Sequence, residues 1–182
     1  NTWTQKADFA GSARYGAVAM AINNKGYIGT GYDSNYLKDF WQYDPDTDTW
    51  TQKTSIGGAK RRDAAAFVIN NKGYIVTGID NGEYLKDFWE YDPGTDIWNK
   101  KRQIANTTNE AFDDKYSTII GIGKVGFSIG GKGYLATGGQ TTGSEVWEYN
   151  PATDLWEQKT SFEGSIRTDA VGFAIDNRGY VT

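Results

Sequence analysis

Asp39-Phe40-Trp41-Gln42-Tyr43-Asp44-Pro45 decides the fold, because this stretch occurs three times in a chain of 182 residues. The other two copies are Asp87-Phe88-Trp89-Glu90-Tyr91-Asp92-Pro93 and Glu145-Val146-Trp147-Glu148-Tyr149-Asn150-Pro151. In each copy a second tryptophan follows the tyrosine by seven residues: Trp50, Trp98 and Trp156. Trp3 is an earlier copy of this second tryptophan, and the spacings from one to the next are 47, 48 and 58 residues. The chain therefore contains a repeat of about 48 residues.

A second repeated element lies between these copies. It reads Lys25-Gly26-Tyr27-Ile28, Lys72-Gly73-Tyr74-Ile75, Lys132-Gly133-Tyr134-Leu135 and Arg178-Gly179-Tyr180-Val181. Each repeat predicts four strands: strand a is small and apolar, strand b ends in Thr-Gly, strand c is the Phe-Trp-x-Tyr segment, and strand d begins near the second tryptophan. Asn-Asn and Asp-Pro turns join a to b and c to d.

A four-stranded unit that recurs about every 48 residues is typical of a β-propeller. We therefore predict an all-β propeller with four-stranded antiparallel blades, of which about 3.5 to 4 are present. The repeats cover approximately residues 1–48, 49–96, 97–154 and 155–182, the last of them incomplete.

Composition excludes several kinds of chemistry. The chain has no cysteine and no histidine, so it offers no disulfide, thiolate metal site, cysteine nucleophile or Ser-His-Asp triad. The net charge of -4 argues against a nucleic-acid partner, and no apolar run is long enough to span a membrane. We expect no metal and no cofactor.

These repeats resemble the kelch family, in which a glycine-ended strand b precedes an aromatic pair in strand c. The resemblance implies a ring, most often of six blades, and an extracytoplasmic location as in bacterial secreted or cell-surface kelch proteins. Only the third copy, at Gly138-Gly139, has the usual double glycine of the family. The chain starts within a strand d at Trp3 and lacks strand c in its fourth unit. Either the natural protein continues, or a second chain or copy completes the ring, or four blades close compactly.

The connections differ between the two faces of such a ring. The b–c and d–a loops emerge on one face, where their sequences vary, and the nearly uniform a–b and c–d turns emerge on the other. Variable loops on a rigid scaffold are where binding sites usually lie. The longest d–a connection runs from about Arg102 to Gly123 and contains 12 extra residues. We therefore expect a ligand on the variable-loop face.

Candidate ligand-binding residues lie where strand a begins and in the b–c loops. Alignment on the Lys-Gly-Tyr element places Arg14, Arg61, Gly121 and Arg167 at one position, and Arg62 is adjacent. Arginines around the channel mouth would suit an anionic ligand such as an acidic sugar. The alternative is that each arginine pairs with an acid of its own or a neighbouring blade: Asp39, Asp63, Asp87, Glu145 or Asp169. Tyr36 and Tyr84 are the candidates for stacking against a sugar.

Three functions stay open. The first is a non-catalytic binding module for a glycan or protein ligand, and the second is a structural or adhesion repeat. The third is an enzyme, because the kelch family includes galactose oxidase and N-acetylneuraminate epimerase. The copper chemistry of the oxidase needs histidines, which this chain lacks. Ring opening of an acidic sugar needs only an acid–base pair, so a sugar epimerase or mutarotase stays the main alternative, with no residue assigned as catalytic.

Overall fold

The computed structural model describes residues 2–102, 104, 116, 118–139 and 143–182. Blade 1 contains β1 (Val18–Ile22), β2 (Lys25–Gly29), β3 (Phe40–Asp44) and β4 (Thr49–Lys53). Blade 2 contains β5 (Ala65–Ile69), β6 (Lys72–Val76), β9 (Phe88–Asp92) and β10 (Ile97–Lys100), with the small hairpin β7 (Ile79–Asp80) and β8 (Glu83–Tyr84) in its b–c loop. Blade 3 contains β11 (Val125–Ile129), β12 (Lys132–Gly138), β13 (Gly143–Asn150) and β14 (Leu155–Lys159), and blade 4 contains β15 (Gly172–Ile175) and β16 (Arg178–Val181).

Each complete blade is an antiparallel meander in the order a, b, c, d. The predicted all-β fold with four-stranded antiparallel blades is confirmed, and the described residues form three complete blades and two strands of a fourth. The repeats drawn from the sequence are offset from the blades, because the repeat boundaries fall in the c–d turns and not before strand a.

The a–b turns follow from residues that tolerate positive φ. Strand registers leave two-residue hairpins, as in the pairing of Ile22 with Lys25. Both turn residues are left-handed in the first three blades: Asn23 (φ 51°) and Asn24 (61°), Asn70 (50°) and Asn71 (61°), Gly130 (57°) and Gly131 (76°). This geometry matches the twist of the strands, and asparagine and glycine are the residues that adopt it at least cost.

The c–d turns tie neighbouring blades together. The aspartate that ends each turn has φ of 54° to 56° and accepts a hydrogen bond from the tyrosine of strand c, as Asp96 does from Tyr91 Oη at 2.7 Å. The same carboxylate accepts the backbone N–H of the residue that follows strand d of the preceding blade, which is Thr54 for Asp96 at 3.1 Å. Trp98 Nε1 donates to Thr54 O at 2.9 Å. The Asp-Pro-x-Thr-Asp sequence is thus a structural turn.

Blade-to-blade packing depends on a side chain that lies over a glycine. Strand a of each blade contacts strand a of the next, in the pairs β1–β5, β5–β11 and β11–β15. A side chain in the middle of strand a covers a strand-b glycine of the following blade, in the pairs Met20–Gly73, Phe67–Gly133 and Phe127–Gly179. A Cβ at any of these glycines would overlap the side chain above it. Burial of the aromatic residues around these contacts forms two core clusters, one at each interface of blade 2.

The N-terminal copy of strand d differs from the expectation. Residues 2–9 form no strand, and Trp3 is fully exposed. Ala7 nevertheless donates its N–H to Asp48 Oδ1 at 3.0 Å, as Thr54 does to Asp96. Of the three alternatives for the incomplete ring, compact closure of four blades is not seen in the described residues, because β15 and β16 form a two-stranded sheet. Most of the predicted Arg102–Gly123 insertion lies outside the described residues. The described part of the chain has no helix long and apolar enough to cross a membrane.

Candidate ligand-binding face

The b–c and d–a connections come together on one face, as the strand order requires. The b–c loop of blade 1 exchanges backbone bonds with the connection that leads into blade 2: Gly31 N–H donates to Arg61 O at 2.7 Å, and Arg61 N–H donates to Leu37 O at 2.9 Å. One blade later, Gly78 N–H donates to Gly121 O at 3.5 Å in the equivalent contact. These bonds hold the loops in one arrangement, which is the preorganisation that a binding surface needs.

Three tyrosines form a row on this face. The ring centroids of Tyr15 and Tyr32 are 5.5 Å apart, and those of Tyr32 and Tyr36 are 5.1 Å apart. Paired backbone bonds between Tyr15 and Tyr32, at 3.1 and 2.9 Å, fix the first two rings. The Arg62 guanidinium carbon lies 5.9 Å from the Tyr36 centroid, within the range of a cation–π contact. Tyr15 is 60% exposed, so the row presents aromatic surface to solvent.

A polar cavity of about 540 Å³ adjoins this row. Its walls come from the b–c loops of blades 1 and 2 and from the connection between them. The side chains that line it include Tyr32, Tyr36, Ser34, Asn35, Lys38, Lys60, Asp80 and Asn81. A cavity of this size falls in the range of small-ligand sites, and its walls offer both hydrogen-bond donors and acceptors.

Arg14 and Arg61 lie in ion pairs within their own blades. Arg61 has 0% exposure and donates from Nη1 and Nη2 to Asp87 Oδ1 and Oδ2, both at 2.7 Å. Arg14 makes the same two-bond contact with Asp39 at 2.5 and 2.8 Å. Burial alone would raise the pKa of Asp87, but hydrogen bonds and charge from Arg61 outweigh it and hold the pKa below its ordinary value. Arg14 and Arg61 thus each pair with an acid of their own blade, as the alternative to ligand binding expected, and their guanidinium groups are not exposed to a ligand.

The other predicted residues are more accessible. Arg62 pairs with Asp63 and stacks on Tyr36. Arg167 is half-buried, donates from Nε to Ser165 O at 3.1 Å and lies 5.0 Å from the Phe162 centroid. Tyr84 pairs through its backbone with Ile79 and is not among the described residues that line the polar cavity. Their role in ligand binding stays a prediction.

The channel mouth is lined by residues a few positions beyond the arginines. A cavity of about 280 Å³ is bounded by two residues from each blade: Gly16 and Ala17, Asp63 and Ala64, Gly123 and Lys124, Asp169 and Ala170. None of the four candidate arginines lines it in the described part of the chain. Arg14 and Arg61 extend to carboxylates within their own blades instead, because a buried guanidinium needs a paired acid.

Sequence reasoning missed Tyr15, Tyr32 and Lys124. Tyr15 takes the place of Arg62 and Tyr32 the place of Ile79 in the repeat alignment, so neither is a repeated feature. A comparison of the repeats could have found them, because each of these residues differs from its equivalents in the other blades and lies near the variable loops. In the described residues, no group of three or more acidic side chains could hold a metal ion.

Comparison with known proteins agrees with this architecture. The family model of the KLHDC2/KLHL20/DRC7 Kelch-repeats domain matches residues 1–181, so the chain belongs to the kelch-repeat β-propeller family. The solved structure of YjhT is similar with a TM-score of 0.72 and 18% sequence identity, over 94% of this chain and 59% of that one. The chain thus spans about three fifths of that structure's length, and the likeness at this identity shows the fold alone. No curated protein matches the sequence. As a kelch propeller, the chain is in general terms an interaction module.

Proposed function

We propose that this chain is a non-catalytic binding module that holds a glycan on its variable-loop face, between blades 1 and 2. The observation that carries the proposal is the row of Tyr15, Tyr32 and Tyr36 beside a polar cavity of about 540 Å³. A pyranose ring has an apolar face and a rim of hydroxyl groups. The tyrosine rings can pack against the apolar face, and the amide, hydroxyl and charged groups of the cavity can form hydrogen bonds with the hydroxyl rim.

The loop bonds favour such a role. Because backbone hydrogen bonds join the b–c loop of blade 1 to the next connection, little conformational entropy is lost when a ligand settles on it. Arg62 adds a positive group beside Tyr36, which suits an acidic sugar although Asp63 already neutralises part of its charge.

A glycan array followed by calorimetry tests this proposal. The array glycan with the strongest signal is titrated into the wild type and into Tyr15→Ala. We expect the variant to bind at least about tenfold more weakly, which corresponds to about 1.4 kcal/mol. Tyr180→Ala is the matched control, because it removes an exposed tyrosine from blade 4, away from the tyrosine row, and should leave affinity unchanged. Equal losses in both variants, or no glycan bound at all, would reject the proposed site.

The alternatives make different predictions. A protein ligand would bind this face while every array glycan failed. A sugar epimerase or mutarotase would speed the exchange of N-acetylneuraminate anomers, which NMR follows directly. A purely structural or adhesion repeat would show neither. The extracytoplasmic location that the kelch resemblance implies also stays a proposal, and fractionation of the source cells tests it.

A further inference from the structure

The b–c loop of blade 2 contains the one Asn-Gly pair of the sequence, Asn81-Gly82, at the tip of the hairpin that β7 and β8 form. Asp80 pairs with Glu83, so Asn81 and Gly82 are the two turn residues, and both have positive φ, at 49° and 89°. Both are exposed, and Asn81 lines the polar cavity of about 540 Å³ beside the tyrosine row. A chemical change at Asn81 would therefore alter a wall of that cavity.

The backbone nitrogen that follows Asn81 is accessible. Gly82 N–H donates to no acceptor in the described part of the chain. No atom lies within 4 Å of the place that a Cβ of Gly82 would take, so nothing crowds this nitrogen. Asn81 Nδ2 donates to Asp80 Oδ1 at 3.0 Å, so the side-chain amide stays at the base of the turn. The amide carbon of Asn81 and the nitrogen of Gly82 are the two atoms that can close a five-membered imide.

The hairpin that carries this pair is short. β7 and β8 have two residues each, whereas the a–b turns of blades 1 and 2 join strands of five residues within four-stranded sheets. Few interactions hold a hairpin of two-residue strands, so its tip opens at a lower free-energy cost than a turn within a blade. Opening allows Asn81 to leave the left-handed conformation and to bring its side-chain carbon within reach of Gly82 N.

We propose that Asn81 is a site of spontaneous covalent modification, at which deamidation adds a carboxylate to the wall of the polar cavity. Gly82 N gives up its proton and attacks Asn81 Cγ, and the side-chain amide leaves as ammonia with a proton in exchange. Water then opens the succinimide: attack at Cγ gives aspartate, and attack at the backbone carbonyl carbon of residue 81 gives isoaspartate. In either case the C–N bond breaks and the nitrogen regains a proton. Water is the only co-reactant, and the reaction does not depend on the proposed glycan binding.

Deamidation would change the charge balance of this cavity. Among the described residues that line it, Lys38 and Lys60 are positive and Asp80 is negative. A carboxylate at residue 81 would stand next to Asp80, so the lining acids would equal the lysines in number. An anionic ligand would then bind more weakly, and the isoaspartate form would also lengthen the turn backbone by one carbon atom. The binding face would thus change as the protein ages.

Ageing in solution tests the proposal. The protein is held at pH 8 and 37 °C, and peptide mass spectrometry follows the mass increase of about 1 Da at each asparagine over time. Asn23 and Asn70 are internal controls, because each begins an exposed two-residue turn with positive φ but is followed by asparagine. We expect Asn81 to react at least about tenfold faster than either, because glycine leaves the following nitrogen uncovered. Equal rates at the three positions would overturn the proposal.

Gly82→Asn is the matched variant. It gives the hairpin tip the Asn-Asn sequence of the a–b turns, and asparagine tolerates positive φ. The rate at Asn81 should fall to that of Asn70, while the rates at Asn23 and Asn70 stay unchanged. An unchanged rate at Asn81 in a folded variant would contradict the attack by Gly82 N.

The wild-type chain gives a second measurement that needs no variant. The rate at Asn81 should rise with pH between 7 and 9, because Gly82 N must lose its proton before it attacks. The product should contain isoaspartate, which only the succinimide yields, and an antibody or a methyltransferase specific for isoaspartate detects it. A rate that does not change with pH, or a product without isoaspartate, would rule out this route even if Gly82→Asn fails to fold.

Discussion

Arginine at the start of strand a has a structural role in the first two blades. Arg61 is fully buried and meets Asp87 through two hydrogen bonds, while Trp89 Nε1 donates to the same carboxylate at 2.7 Å. The triad joins the start of strand a to the start of strand c. The three groups stabilise the fold together, because removal of the carboxylate would leave the guanidinium charge buried and unpaired.

Asp87→Ala should therefore destabilise the protein strongly. We expect the free energy of unfolding at pH 7, measured by urea denaturation, to fall by about 3 kcal/mol, because the variant leaves the Arg61 guanidinium buried without its acid. Glu157→Ala is the control: its carboxylate is 71% exposed and pairs with Lys159 at the surface, so its loss should change stability by less than about 0.5 kcal/mol. A loss below about 1 kcal/mol for Asp87→Ala would mean that the pair contributes little.

Strands a and b carry the packing between blades. A central side chain of strand a in one blade fills the space above a strand-b glycine of the next, and this contact occurs three times. Gly26 occupies the same position in blade 1, yet the nearest atom to a Cβ built there is Tyr43 Cβ at 3.6 Å. The same sequence position is therefore closely covered in blades 2, 3 and 4 and open in blade 1.

Gly133→Ala should reveal this difference. The new methyl group would overlap the Phe67 ring, and overpacking of a close interface costs about 1–3 kcal/mol. Thermal or urea unfolding measures the loss. The matched variant is Gly26→Ala, where the added methyl finds ordinary space. Its stability should stay the same or rise by up to about 1 kcal/mol, because alanine is less flexible than glycine in a strand. Equal destabilisation by both variants would contradict the packing account.

In the part of the molecule that the structure describes, blade 4 has an apolar face without a blade against it. Ile166, Val171, Phe173, Ile175 and Tyr180 are all exposed on or beside blade 4. Phe173 occupies the position of Phe67 and Phe127, whose rings each cover a glycine of the following blade. Gly26 is the equivalent glycine in blade 1, and no described side chain of a preceding blade covers it. Phe173 of one copy could therefore cover Gly26 of a second copy.

We expect a solution of this chain to self-associate through that face. The average mass from light scattering should rise with protein concentration, and Phe173→Glu should reduce the rise, because a charge cannot be buried against the partner's backbone at low cost. Ile97→Glu, which changes another exposed apolar residue on β10, should have no effect. A monodisperse monomer at every concentration of the wild-type chain would rule out this association.

The sequence by itself determined the repeat, the strand order within a blade, the left-handed turn residues and the face on which the variable loops lie. These follow from local properties that recur along the chain: period-two alternation, asparagine and glycine at turns, and a repeat near 48 residues. Only the tertiary structure decided which residues meet across blades. It placed Arg61 in a buried pair with Asp87 rather than at the channel mouth, and it aligned Tyr15 with Tyr32. Spacing along the chain carries no information about these contacts, because each depends on how one blade is oriented against the next.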